Sequence, residues 1–80
     1  MNPLAEFSPD ELERVRKFAA NATNGTTFDE LGKLLGVSRG EAVQFSIRLD
    51  GLGLAESQHL DDARPTKLLQ DSLRDLDSPP

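Results

Sequence analysis

Along the first half of the chain a Ser or Thr is repeatedly followed three residues later by Glu, at Ser8-Pro9-Asp10-Glu11, Thr27-Phe28-Asp29-Glu30 and Ser38-Arg39-Gly40-Glu41. This pattern is a capping box: the hydroxyl accepts from the amide three residues on, and the Glu carboxylate reaches back to the amide of the cap. In the first box Pro9 falls at the first helical position, where a missing N–H costs nothing, and Phe7 is placed to staple onto Leu12. Leu12, Val15, Ala19 and Ala22 then recur at three-four spacing with Phe18 beside them, and Asn24-Gly25 stops the helix. The second box opens a short helix that carries Phe28, Leu31, Leu34 and Leu35 and ends at Gly36. Only Val37 separates Gly36 from the third cap, so the second and third helices are joined by a turn of about three residues. The third helix is predicted over residues 39–52, with Gly51 and Gly53 weakening and ending it.

A chain of 80 residues holds one small domain and has no room for two lobes with a cleft between them. Its 36% apolar and 29% charged residues are a globular balance. A domain this small buries only about 60% of the surface its unfolded chain exposes, so local helix signals carry weight. Fourteen acidic residues against nine basic ones give a net charge of -5, which disfavours unspecific adhesion to nucleic acid or anionic membranes. There is no cysteine, which excludes disulfides and thiolate zinc sites and leans toward a cytoplasmic location. No apolar run is long enough to cross a bilayer, and the start lacks a secretory pattern.

The stretch from Thr27 to Ala42, followed by Arg48-Leu49-Asp50-Gly51-Leu52-Gly53-Leu54-Ala55, resembles the helix-turn-helix core of winged-helix transcriptional regulators. The closing Leu-x-x-Leu-Gly-Leu-Ala phrase is similar to the one with which such proteins leave the recognition helix and enter the wing. With the first helix, the resemblance covers about Ser8 to Ala55. A ribbon-helix-helix module shares the Gly-Val-Ser-Arg opening but needs a strand before its second helix, and Asn24-Gly25-Thr26-Thr27 reads as no strand. The resemblance implies that helix 39–52 enters the major groove of double-stranded DNA. The matching positions are Ser38, Arg39, Gln44 and Arg48, with Thr27 and Lys33 toward the backbone and Arg64 near the tip of a wing.

Beyond Leu54 two readings compete. Residues 54–60 and 63–69 can pair as a hairpin around Asp61-Asp62, although neither half alternates cleanly and Pro65 cannot donate to a ladder. Alternatively a fourth helix starts with Pro65 at its first position and carries Leu68, Leu69, Leu73 and Leu76, a spacing that favours the helix. The fold class expected is therefore all-α, or mainly α with a small β wing. The divisions are a flexible start over 1–7, a helix-turn-helix core over 8–56, a reduced wing or C-terminal helix over 57–77, and a tail over 78–80.

A helical wheel complicates the DNA reading. Ala42, Phe45, Leu49 and Leu52 form one face of the third helix, but Val43 and Ile47 lie nearly opposite, flanking Gln44 where polar side chains are expected. Residues 27–56 hold Lys33, Arg39 and Arg48 against Asp29, Glu30, Glu41, Asp50 and Glu56, whereas nucleic-acid binders usually present a basic stripe. Each arginine has the alternative of being a solvated helix charge. The sequence thus supports two functions. One is a small DNA-binding regulator acting as a dimer. The other is an acidic interaction module, an adaptor or anti-regulator, docking through Val43 and Ile47 or through the last helix with Leu69, Leu73 and Leu76. An acidic DNA mimic is a weaker third reading. The lone His59 beside Asp61 and Asp62 reads as a surface histidine; no metal, cofactor or catalytic constellation is expected.

Overall fold

A computed structural model describes residues 2–57 and 61–77. Among them are four helices and three short strands: α1 (Pro9–Asn21), β1 (Thr26–Thr27), α2 (Phe28–Leu35), α3 (Arg39–Gly51), β2 (Ala55–Glu56), β3 (Asp62–Pro65) and α4 (Lys67–Asp77). The fold is mainly helical with a small antiparallel sheet of order β1-β3-β2, so the purely helical expectation is replaced by the mixed one.

Each expected cap is present. Glu11 N–H donates to Ser8 Oγ (3.2 Å) and Ser8 N–H donates to Glu11 Oε1 (3.0 Å), a complete reciprocal box. Thr27 and Ser38 accept from the amides of Glu30 and Glu41, at 3.2 Å each. The second box is not reciprocal, because the Glu30 carboxylate instead accepts from Thr26 Oγ1 at 3.5 Å. α1 ends three residues before Asn24, with Ala22 N–H bonded to Phe18 O.

The turn between α2 and α3 depends on two glycines. Gly36 closes α2 in the left-handed region (φ 71, ψ 33), where a side chain would be strained. The chain then doubles back so tightly that Val37 N–H donates to Gly32 O (2.9 Å), and a Cβ on Gly32 would stand 2.9 Å from the Val37 carbonyl oxygen.

Apolar residues of every helix meet in one core, in which Leu4, Val15, Phe18, Leu31, Leu49, Leu54 and Leu69 are fully buried. Phe18 of α1 and Phe45 of α3 pack edge to face, centroids 5.9 Å apart. Ser46 is buried among them, its hydroxyl donating to Val43 O (3.0 Å). Leu52, expected on this face, is 41% exposed because the helix ends at Gly51 and the chain turns away.

The region after Leu54 resolves the competing readings by containing both elements. β3 pairs with β2 (Ala55↔Pro65, Glu56↔Arg64) and with β1 (Thr26↔Ala63, Thr27↔Asp62). The Thr-Thr segment read as no strand is therefore one, held in place by its partner rather than by its own propensity. Thr66 N–H donates to Leu54 O (3.1 Å), so alternation turns the N–H-less edge of Pro65 toward β1, beyond the pair Thr26↔Ala63, where the ladder has run out. Pro65 thus ends β3 rather than starting α4. The cap is Thr66, whose hydroxyl accepts from Leu69 N–H (3.4 Å) and donates to Gly53 O (2.7 Å).

The segment 2–7, expected to be flexible, is tied down. Leu4 is fully buried and Phe7 is buried. Asn2 Oδ1 accepts from Leu4 N–H (2.8 Å), and Asn2 Nδ2 donates to Ser72 O of α4 (2.9 Å). α4 is further fixed to α1 by Gln70 Nε2 donating to Ala19 O (3.1 Å) and by the Arg16–Asp77 ion pair (2.6 Å). The tail over 78–80 lies outside the described residues.

Two substitutions test the turn. Gly32→Ala should destabilise by roughly 1–3 kcal/mol, because its methyl meets backbone, even though alanine is about 1 kcal/mol the better helix former. Gly51→Ala meets nothing within 4 Å and should stabilise by up to about 1 kcal/mol. Urea unfolding followed by circular dichroism measures both; a stabilised Gly32→Ala contradicts the packing described.

Candidate nucleic-acid interface

The first turn of α3 stands clear of the core, with Ser38, Arg39, Gly40 and Glu41 all exposed. The inner side of the same helix buries Ala42, Ser46 and Leu49. The outer side continues through Gln44 and Arg48 to Ile47, which is 57% exposed. Lys33 is exposed on neighbouring α2, and Thr27 is exposed at its cap. All of these residues are exposed, but Arg39 turns toward Asp29 of α2 and Arg48 toward Glu11 of α1.

Each arginine predicted for DNA is held by a carboxylate. Arg39 Nε lies 3.2 Å from Asp29 Oδ1, with its guanidinium carbon 5.9 Å from the Phe28 ring centroid. Arg48 is paired with Glu11, and its guanidinium carbon sits 4.1 Å above the Phe7 ring centroid. Arg64 is paired with Glu56 across the β2–β3 rung. Arg64 is the third residue of β3, and its rung with Glu56 is the one next to the connecting loop. On α1, Arg16 bonds Asp77 of α4 and Lys17 lies 3.9 Å from Glu13.

Between α1 and α3 a shallow groove of about 210 Å³ is lined by Glu11, Arg14, Glu41, Gln44, Phe45 and Arg48. The Glu11 carboxyl is held below its ordinary value of 4.5, first by the Ser8 backbone N–H and second by Arg48. Sequence reasoning missed Glu11, Asp29 and Glu56 as members of this surface. Glu11 is 37 residues from Arg48, so no local spacing signals their pairing.

The residues assigned to protein docking divide differently. Leu69 and Leu73 are core, and Val43 is half-buried against the core. This removes Leu69 and Leu73 from the proposed docking surface, because their side of α4 faces inward. Ile47 and Leu76 remain exposed. His59 lies outside the described residues, and among the described residues no group of three or more His, Asp or Glu side chains is arranged to hold a metal. No described helix is long and apolar enough to cross a membrane. No protein family, curated protein or solved structure matches the chain.

Because the Glu11 pKa is depressed in the folded state, its contribution to stability is present above the ordinary carboxylate range and is lost as pH falls through the folded value. Carboxyl chemical shifts should show Arg48→Met raising the Glu11 pKa while leaving it below 4.5, since the Ser8 amide remains. A complete return to the ordinary value would contradict the leading role of that amide.

Proposed function

We propose that this chain is a winged helix-turn-helix DNA-binding module of the kind found in transcriptional regulators, a binding domain rather than an enzyme, with α3 as its major-groove helix. The observation that carries the reading is the two-sided α3: its inner residues lock it into the core, while residues 38–41, Gln44 and Arg48 are exposed. The element order and the β1-β3-β2 sheet are those such a domain needs to flank a recognition helix with a wing. In this reading Arg39 and Arg48 meet phosphate or guanine, Gln44 meets adenine, and Ile47 contacts a thymine methyl. Ser38, Thr27 and Lys33 serve the backbone.

The ion pairs oppose DNA binding only weakly. Exposed pairs are worth about 0–1 kcal/mol each, so a duplex phosphate can displace Asp29 from Arg39 or Glu11 from Arg48. A single such domain buries too little to bind a site tightly, so the proposal includes two copies on adjacent half-sites. A second reading, a protein-docking module using the outer face of α3, is favoured by Ile47 at 57% exposure on a surface whose arginines are neutralised.

Fluorescence anisotropy with a fluorescein-labelled mixed-sequence duplex separates the two, the label being needed because the chain has no Trp or Tyr. Wild type should bind at low salt, and Arg39→Ala with Arg48→Ala should weaken binding and lower the salt slope by roughly one per lost phosphate contact. Asp29→Asn should strengthen binding by freeing Arg39. Affinity indifferent to all three substitutions would refute the assignment. If instead DNA is ignored and Ile47→Asp abolishes association with a protein, the docking reading replaces it.

A further inference from the structure

The outward side of α4 carries a feature that DNA binding leaves unused. Leu68 and Leu76 are 47% and 37% exposed, two turns apart, or about 12 Å along the axis. Asp71, whose carboxylate lies 3.6 Å from Arg74 in an exposed pair, and Asp75 run along one flank of that stripe, and Asn2 and Pro3 wall the other, enclosing a groove of about 460 Å³ over buried Ser72. The wall is built in place: Asn2 is fixed by its bonds to Ser72 O and from Leu4 N–H. Leu68 is also held against the hairpin base, 3.5 Å from where a Cβ on Gly53 would stand.

We propose that this groove docks a basic amphipathic helix of a partner protein, whose apolar residues two turns apart seat against Leu68 and Leu76 and whose lysines or arginines face Asp71 and Asp75. Charge selects this occupant. A second copy would meet α4 antiparallel about Ser72, bringing its Asp71 and Asp75 flank alongside the same flank of the first chain, in a protein that already carries a charge of -5. The same carboxylates repel a nucleic-acid backbone. The inference stands independently of the DNA reading, since the groove lies on α4 and the N-terminal segment rather than on α3.

The test uses a fluorescein-labelled synthetic helix of about 18 residues, some 27 Å long, with leucines on one face and lysines flanking them. Its control keeps the leucines and replaces every lysine with glutamate. Anisotropy should show the lysine peptide binding and the glutamate peptide not binding. Leu68→Ser with Leu76→Ser should weaken the complex by more than about tenfold, and Asp71→Asn with Asp75→Asn by about fivefold. The second pair preserves the apolar surface and controls for misfolding of the first. Arg39→Ala with Arg48→Ala should leave peptide binding unchanged whether or not DNA binds. Equal binding of both peptides, or lysine-peptide binding that neither pair of substitutions alters, overturns the proposal. A concentration-dependent dimer in sedimentation that Leu68→Ser with Leu76→Ser dissolves also overturns it, by making a second copy the occupant.

Discussion

The backbone of Gly32 lies directly against the carbonyl of Val37, and the rest of the domain is arranged around that contact. Because no Cβ stands between them, α2 can end in a single left-handed residue and α3 can begin two residues later with its own cap. So short a joint leaves α3 little rotational freedom. Its orientation is then completed by Ala42, Ser46 and Leu49 entering the core and by Phe45 meeting the edge of Phe18. What α3 shows to solvent is the remainder: the first turn, Gln44, Ile47 and Arg48. The candidate surface is thus a consequence of how α2 stops.

The electrostatics of that surface follow from the same packing. Folding brings Glu11 of α1 to Arg48 of α3, Asp29 of α2 to Arg39 of α3, and Glu56 of β2 to Arg64 of β3. Each pair is exposed and individually weak, but together they leave the face without a steady positive field. Long-range steering toward DNA is accordingly small, and recognition in the proposed reading depends on short-range exchange of carboxylate for phosphate. Low affinity for arbitrary sequence, and strong dependence on salt, are built into such an arrangement. The acidic flank of α4 extends the logic to the opposite need, attracting cationic protein where α3 is only neutral.

Much of this was legible in the chain because helix starts are local events. Ser8, Thr27 and Ser38 cap three helices within a residue of where the Ser/Thr-x-x-Glu spacing puts them, and Gly36 ends α2 as its position requires. The sheet was not legible, because its strands owe their existence to one another. Thr26-Thr27 is two residues long, and the inward positions of β3 are Ala63 and Pro65, neither a strand former. The leucines of the last helix were correctly placed on a helix but not sorted by face: Leu69 and Leu73 enter the core, while Leu68 and Leu76 do not. Only the docking of α4 on α1, through Gln70 and Arg16, decides which side is inward. The carboxylate partners of the arginines are separated from them in sequence by 8 residues for Arg64 and 37 for Arg48, distances at which spacing carries no signal.

The central claim is that the outer face of α3 meets DNA, and an amide chemical-shift titration of isotope-labelled protein with a mixed-sequence duplex addresses it residue by residue. The account predicts salt-sensitive shifts at Ser38 to Arg48, with Thr27, Lys33 and Arg64 following and α4 silent. No shifts at low salt, where counterion release most favours binding, or shifts confined to α4 and residues 2–3, would contradict it.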